Sequence, residues 1–384
     1  MLRILIAALG VFANFSAADA FSWNADKEKL ALELVREFQA AHHVPSIAVS
    51  VTLGGRTVLA KGLDAAGMPA PGGENVRYHI GSVTKQFTAA AILAMIEDKV
   101  IVPSTQKPLT LDTTGLELFP SLDPKGESSR LTVRRVLTMT SNLPSYTDDD
   151  FALDADQTGV PPAARSIDAE AIIARLRTYK LTGRPQTFSY SNTNYFILSL
   201  IIQVLQNGYE KTSAPVAHKY IADRLLARAG MRDTGFVGEP LPRPSIDAAP
   251  HYIYSPRFNQ GAWPMGAGNM ISTAADMARW NAALTTGKVL GTDSVHTMFA
   301  PAVAVTNSLV YQGCSYGMGW YVCHRPGFDL FEHDGVIAGY MASNAIGWKN
   351  GSWISATVLA DLDATIDIVE LVRSLIQLGA EEDR

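Results

Sequence analysis

Between His79 and Ile96 the chain reads HIGSVTKQFTAAAILAMI, and after Lys85 no charge appears until Glu97. Apolar on every side, this run predicts a helix buried all round rather than one lying on a surface. A fold that accommodates it must wrap other elements around it. Ser82 and Lys85 sit at its N-terminal mouth, and positions three apart on a helix are neighbours, about 5–6 Å between Cβ atoms. A lysine at the entrance of such a segment is costly to bury unless its amine has work to do.

The flanking patterns suggest what does the wrapping. Asp26 to Ala41 places Leu30, Leu34, Phe38 and Ala41 at helical spacing, and SIAVSVTL and RTVLAKGL flank Gly54-Gly55 as a hairpin. The middle of the chain is helical in pattern: TVRRVLTMTS, AEAIIARLRTY, NYFILSLIIQVLQ stopping at Asn207-Gly208, and a capped helix opening at Ser272-Thr273. Strand patterns return in YGMGWYV, DLFEHDG, MASNAIGW and SWISATVLA, the last two joined by an Asn350-Gly351 turn, before a closing helix from Ile366 to Leu378. Strands at both ends and helices between them predict an α+β fold: one sheet built from both termini, with an inserted helical domain. The expected division is residues 21–100 and 288–384 for the sheet, 101–287 for the helical part, and an active site between them.

The formal charge of −5 and pI near 5.9 argue against nucleic acid or an anionic membrane as partner. MLRILIAALGVFANFSAADA has a basic start at Arg3, a short apolar core and Ala18-Asp19-Ala20, the pattern of a signal peptide cleaved after Ala20. The expectation is therefore an exported, periplasmic or secreted protein with no membrane span after cleavage. The cysteines are Cys314 and Cys323 alone. Export permits a bridge, but an extended YGMGWYV would hold them about 30 Å apart, so a bridge needs the chain before Tyr316 to fold back. Both states stay open from sequence.

A serine hydroxyl needs a base to become a nucleophile, and a desolvated, neutral lysine can serve. A second Ser-x-x-Lys, Ser104 to Lys107, is bracketed by Pro103 and Pro108 and reads as a loop. Two further pieces accompany Ser82 and Lys85. Tyr190-Ser191-Asn192 opens a helix with a phenol able to shuttle protons if cations lower its pKa, and an amide able to hold a lysine or a substrate carbonyl. His333-Asp334-Gly335 lies in a strand pattern whose glycine permits close approach of a substrate. His79-Ile80-Gly81 and Lys349-Asn350-Gly351 are weaker matches to the same motif. The Asp148-Asp149-Asp150 run reads as a solvated loop.

In this order the three motifs resemble the serine β-lactamase and penicillin-binding protein superfamily, on its class C branch, with D,D-carboxypeptidases, D-aminopeptidases and esterases. RYHIGSVTKQFTAAAILAMIED, TVRRVLTMTSNLPSY, FSYSNTNYFILSLIIQVL, LLARAGMRDTGF, GAGNMISTAADMARW and YGMGWYV carry the likeness across roughly residues 25 to 380. The resemblance implies an antiparallel sheet flanked by helices, with the site in a cleft beside a helical domain. It implies Ser82 as nucleophile, Lys85 as base, Tyr190 as proton relay and Asn192 positioning Lys85 and substrate. His333, Asp334 and Gly335 would form the strand wall, and the backbone N–H groups of Ser82 and Val336 the oxyanion hole. No cofactor and no metal are implied, the partner is a small-molecule or peptide substrate, and the oligomeric state stays open.

Two departures stand out. β-Lactamases and many penicillin-binding proteins carry lysine where His333 stands. An unperturbed histidine titrates near pH 6.5, so the expectation is esterase or peptidase activity above β-lactam hydrolysis, with carboxylate preference weakening as pH rises through that pKa. Met139 and Asn142 replace a frequent histidine and glycine. Three rival readings meet obstacles in the sequence itself. Gly313-Cys314-Ser315-Tyr316-Gly317 matches a nucleophile elbow, which requires a helix after Ser315. A zinc hydrolase lacks H-E-x-x-H, and His42-His43 lacks ligand spacing. A non-catalytic binding or sensor module on the same fold would be expected to have lost Ser82, Lys85 or Tyr190.

Overall fold

The computed structural model describes residues 21–119, 131–147, 187–207, 215–237, 239, 265–337, 339–362 and 365–381. The expected leader, the acidic run from Asp148 and the expected helix in AEAIIARLRTY lie outside them. Thirteen strands are numbered in chain order: β1 Ser46–Leu53, β2 Arg56–Asp64, β3 Arg77–His79, β4 Ile101–Val102, β5 Lys107–Pro108, β6 Gly235–Phe236, β7 Met270–Thr273, β8 Val303–Ala304, β9 Ser315–Tyr316, β10 Tyr321–Arg325, β11 Phe328–Ile337, β12 Tyr340–Lys349 and β13 Ser352–Ala360. Eight of them form one antiparallel sheet in the order β2-β1-β13-β12-β11-β10-β9-β8. The N-terminal hairpin thus docks on the last strand, and one sheet is built from both ends of the chain, as the pattern predicts.

Strands β12 and β13 are buried along most of their length, so polar and apolar residues do not alternate there. Helices cover both faces. On one lie the terminal helices Ala25–His42 and Asp367–Ala380, the latter packed on β12 and β13. On the other lies Ala274–Thr285, against β1, β2 and β13, its start capped by the Thr273 side chain, which accepts from Asp276 N at 3.0 Å. The first helix is turned from its expected face: Ala31, Val35 and Phe38 are buried, whereas Leu30 is 47% exposed and Ala41 is also exposed. Lys27 occupies the buried side because its amine bonds Ser22 Oγ and the Glu381 carbonyl.

The stretch YGMGWYV is not one strand. It turns at Gly317–Trp320, so that β9 pairs back on β10 with Tyr316 opposite Tyr321 and Ser315 opposite Val322. The next pair outward is Cys314 and Cys323, whose Cα atoms stand 4.5 Å apart and which form a disulfide. The fold-back that the bridge needs is present, but after Tyr316 rather than before it. Ser315 therefore sits in a strand followed by a turn and another strand, and the helix that an elbow requires is absent there.

The helix Thr84–Glu97 is buried along nearly its whole length, packing on the helices Asn192–Asn207, Pro215–Ile221 and Thr292–Phe299. A polar cluster ties it to the sheet. Asn344 Nδ2 donates to Gln86 Oε1 at 2.9 Å, and Asn344 Oδ1 accepts from Asn281 Nδ2 at 2.8 Å and Thr357 Oγ1 at 2.6 Å. Asn344 is the register partner of His333. The helix that follows Ser82 and the strand carrying the third motif are thus cross-braced in the interior, where satisfied hydrogen bonds specify one arrangement.

Candidate active site

Ser82 lies in the single turn Gly81–Val83 that leads into Thr84–Glu97. Lys85, one turn on, has no solvent exposure, and its Nζ is 2.8 Å from each of three oxygens: Ser82 Oγ, Asn192 Oδ1 and the Ala267 carbonyl. An ammonium would donate to all three. Burial, however, holds the Lys85 pKa well below its ordinary value, against a weaker opposing pull from Asp334. A neutral amine has two N–H bonds. The Asn192 and Ala267 oxygens can only accept, so they take both, and the lone pair is left facing the Ser82 hydroxyl.

Tyr190 O–H donates to the same Ser82 Oγ at 2.9 Å. The condition of a cation-lowered pKa is not met at this tyrosine: desolvation by burial raises it, so Tyr190 remains a phenol and a donor. Asn192, at the start of its helix, is held from three sides. Its Oδ1 accepts from Lys85, its Nδ2 donates to Thr147 Oγ1 at 3.1 Å, and its backbone N–H donates to Ser145 Oγ at 3.1 Å. The segment 139–147 cradles this loop. Met139 Sδ accepts from Ser191 N and Asn194 Nδ2, and Met139 and Asn142 both have left-handed backbones, with φ of 57° and 60°. That gives the two departures a structural reading. Met139 is a packed floor under the Tyr190-Ser191-Asn192 turn, and asparagine tolerates the conformation that glycine would otherwise supply.

The strand wall is β11. Gly335 is there for contact with the protein rather than with substrate: a Cβ on it would stand 2.0 Å from Ile80 O and 2.7 Å from Ser82 N. Gly81, at φ +47°, answers from the other side, where a Cβ would lie 2.8 Å from Val336 N. Two glycines face to face bring the backbone of Ser82 and Val336 together, as an oxyanion hole requires. His333 is buried. Its Nδ1–H donates to the Asp334 carbonyl at 2.6 Å, which leaves Nε2 to accept from Tyr316 O–H at 3.3 Å. Burial pushes its pKa down to about 4, which corrects the expectation of a titration near neutrality. Asp334 accepts from Tyr311 O–H at 2.6 Å.

Ser82, Lys85, Tyr190 and Asn192 thus form one hydrogen-bonded cluster, with Gly335 and Val336 packed against its turn and the His333 ring 6.1 Å from that of Tyr190. The alternatives lie elsewhere. Ser104 and Lys107 are exposed around the β4–β5 turn, His79 stacks on Tyr340, and His43 is the left-handed cap of its helix. Sequence reasoning missed Ala267, Ser145, Thr147, Tyr311 and Tyr316. Ala267 contributes a backbone carbonyl, which leaves no side-chain signature, although its GAGN setting marks a tight turn.

The sequence profile of the Beta-lactamase family matches residues 32–366. The putative penicillin-binding protein PbpX of Bacillus subtilis is 26% identical over 282 residues, covering 72% of this chain and 60% of its own. The unguisins hydrolase ungD' of Aspergillus campestris is 24% identical over 326 residues, covering 80% of this chain and 57% of its own. The chain therefore spans less than two thirds of the length of these relatives. The D-amino acid amidase of Ochrobactrum anthropi SV3 superposes with a TM-score of 0.69 at 20% identity, over 92% of this chain and 98% of the other, a likeness of fold. Profile, fold and the Ser82–Lys85 cluster agree, and the chain belongs to the β-lactamase family, on its class C-like branch.

Proposed function

We propose that this chain is an exported serine hydrolase that cleaves ester or amide bonds through an acyl-enzyme on Ser82, with esterase or peptidase activity exceeding β-lactam hydrolysis. The observation that carries the reading is the Ser82 oxygen held between Lys85 Nζ at 2.8 Å and Tyr190 O–H at 2.9 Å. Neutral Lys85 takes the hydroxyl proton as Ser82 Oγ bonds the substrate carbonyl carbon. The oxyanion is received by the N–H groups of Ser82 and Val336. As the bond to the departing group breaks, that group takes a proton from Tyr190 O–H, which the Lys85 ammonium then restores. A ring that stays neutral at position 333 supplies no cation for a substrate carboxylate, which supports esters and peptides over β-lactams. The signal pattern ending at Ala20 supports export.

Intact mass after exposure to a neutral fluorophosphonate is expected to show one adduct, mapping to Ser82, and a fluorescent penicillin is expected to label slowly and then leave. Ser82→Ala is expected to lose several orders of magnitude in kcat while keeping its Tm. Labelling that persists in Ser82→Ala would overturn the assignment. A penicillin adduct that never leaves would favour a binding or sensor role.

A further inference from the structure

The second residue of the third motif is an acid, and its surroundings assign it a role. Strand β10 pairs with β11 only as far as Glu332, opposite Tyr321, so His333 to Ile337 leave an edge free of strand partners on that side among the described residues. Val336, whose N–H is placed for the oxyanion, has a side chain 47% exposed there. The proton donor for the departing atom is Tyr190, whose ring neighbours that of His333. With the carbonyl oxygen at Ser82 and Val336, the departing group must run along the strand from Val336 back toward Asp334 and His333.

Asp334 is half-buried at this edge. One carboxylate oxygen accepts from Tyr311, and among the described residues the other accepts no hydrogen bond and the group makes no ion pair. Glu332, two residues earlier, is different: it is buried and clasped by Arg373 at 2.6 to 3.1 Å, with Arg325 at 3.8 Å. Arg373 lies over the Tyr311 ring at 5.6 Å, but its guanidinium is committed to Glu332, Glu370 and the Val310 carbonyl. Lys85 has its three partners already. Tyr311 is itself fixed, stacked on Tyr321 with centroids 3.5 Å apart and three residues before the Cys314–Cys323 bridge. The result is a held carboxylate at the free edge of β11, next in the chain to His333, with no described cation to neutralise it.

We propose that Asp334, aligned by Tyr311, makes the departing-group side of the cleft a cation subsite: the enzyme prefers substrates whose leaving group is positively charged and rejects those whose leaving group bears a carboxylate. The proposal rests on the acyl-enzyme reading and narrows it. Carboxypeptidase substrates and β-lactams present a carboxylate on the departing side and would meet a like charge, whereas an amino or quaternary ammonium group would be attracted.

The test is kcat/KM for three acetyl thioesters, those of thiocholine, of its uncharged tert-butyl analogue and of mercaptopropionate, read by thiol release. The thiocholine ester is expected to exceed the mercaptopropionate ester by about tenfold or more, and added salt should shrink the ratio. Asp334→Asn should bring the ratio close to one, and Tyr311→Phe should lower it part of the way. An unchanged ratio in Asp334→Asn, or a wild-type preference for mercaptopropionate, overturns the subsite. Should the thioesters resist turnover, the same three are compared as protectors of Ser82 against the neutral fluorophosphonate, with the same ordering expected. Absence of any Ser82 labelling would instead defeat the acyl-enzyme reading, so the two failures are distinguishable.

Discussion

A buried titratable group leaves a signature in stability as well as in chemistry, and His333 is the clearest case. Folded, it gains a proton only near pH 4; in the unfolded chain a histidine gains one near pH 6.5. Between those values the unfolded state binds more protons, so stability rises with pH across the window, is complete above it and is lost as pH falls through it. The difference corresponds to roughly 3 kcal/mol. Urea unfolding at pH 7 and pH 4.5 is expected to show most of that loss in the wild type and little of it in His333→Gln. The same neutrality predicts that kcat/KM for an uncharged ester carries no His333 titration between about pH 5.5 and 8.5.

At the scale of elements, the contact between β11 and the Ser82 turn is where packing becomes chemistry. Gly335→Ala would drive a Cβ into the Ile80 carbonyl, backbone that cannot swing aside. The strand or the turn must shift, and misplacing one oxyanion donor costs about 10²–10³ in kcat. Gly347→Ala is the contrast. Its new Cβ would press on the Ile376 side chain at 2.8 Å, on the sheet face that carries the C-terminal helix. Both variants are expected to lose Tm, and only Gly335→Ala to lose kcat by about a hundredfold. The β9–β10 turn is stapled by Cys314 and Cys323, nine residues apart. Loop-closure entropy puts the bridge at about 2.5 kcal/mol, so the double variant Cys314→Ser, Cys323→Ser is expected to unfold at correspondingly lower urea.

For the whole molecule, the closing of the sheet matters most, because its N-terminal hairpin lies beside the last strand of the chain. Phe21 is buried, 6.1 Å from the Phe328 ring, and Ser22 N donates to the Gly379 carbonyl at 2.8 Å. The chain just past Ala20 is therefore locked to the C-terminal helix. Edman sequencing of exported material is expected to begin at Phe21; an intact Met1 would contradict cleavage there. Among the described residues no helix is long and apolar enough to cross a membrane.

Patterns of a few residues carried much of this in the sequence. The apolar run after Lys85, the Gly54-Gly55 and Asn350-Gly351 turns and the strand patterns at both ends each report a local preference or a burial, and these specified one sheet built from both termini and the buried helix after Ser82, while its antiparallel order came with the family resemblance. Ser82, Lys85, Tyr190 and Asn192 were legible because it is their side chains that meet in the hydrogen-bonded cluster. What depended on the tertiary structure was everything set by distant groups meeting. Lys85 finds its third acceptor in the carbonyl of Ala267, 182 residues away, and backbone atoms write no letter of their own. The same glycine code stands at 335 whether it serves a substrate or the Ile80 carbonyl. The pKa values of Tyr190 and His333 follow from desolvation, a property of everything packed around them, so the motifs left the first conditional on nearby cations and put the second in the wrong range.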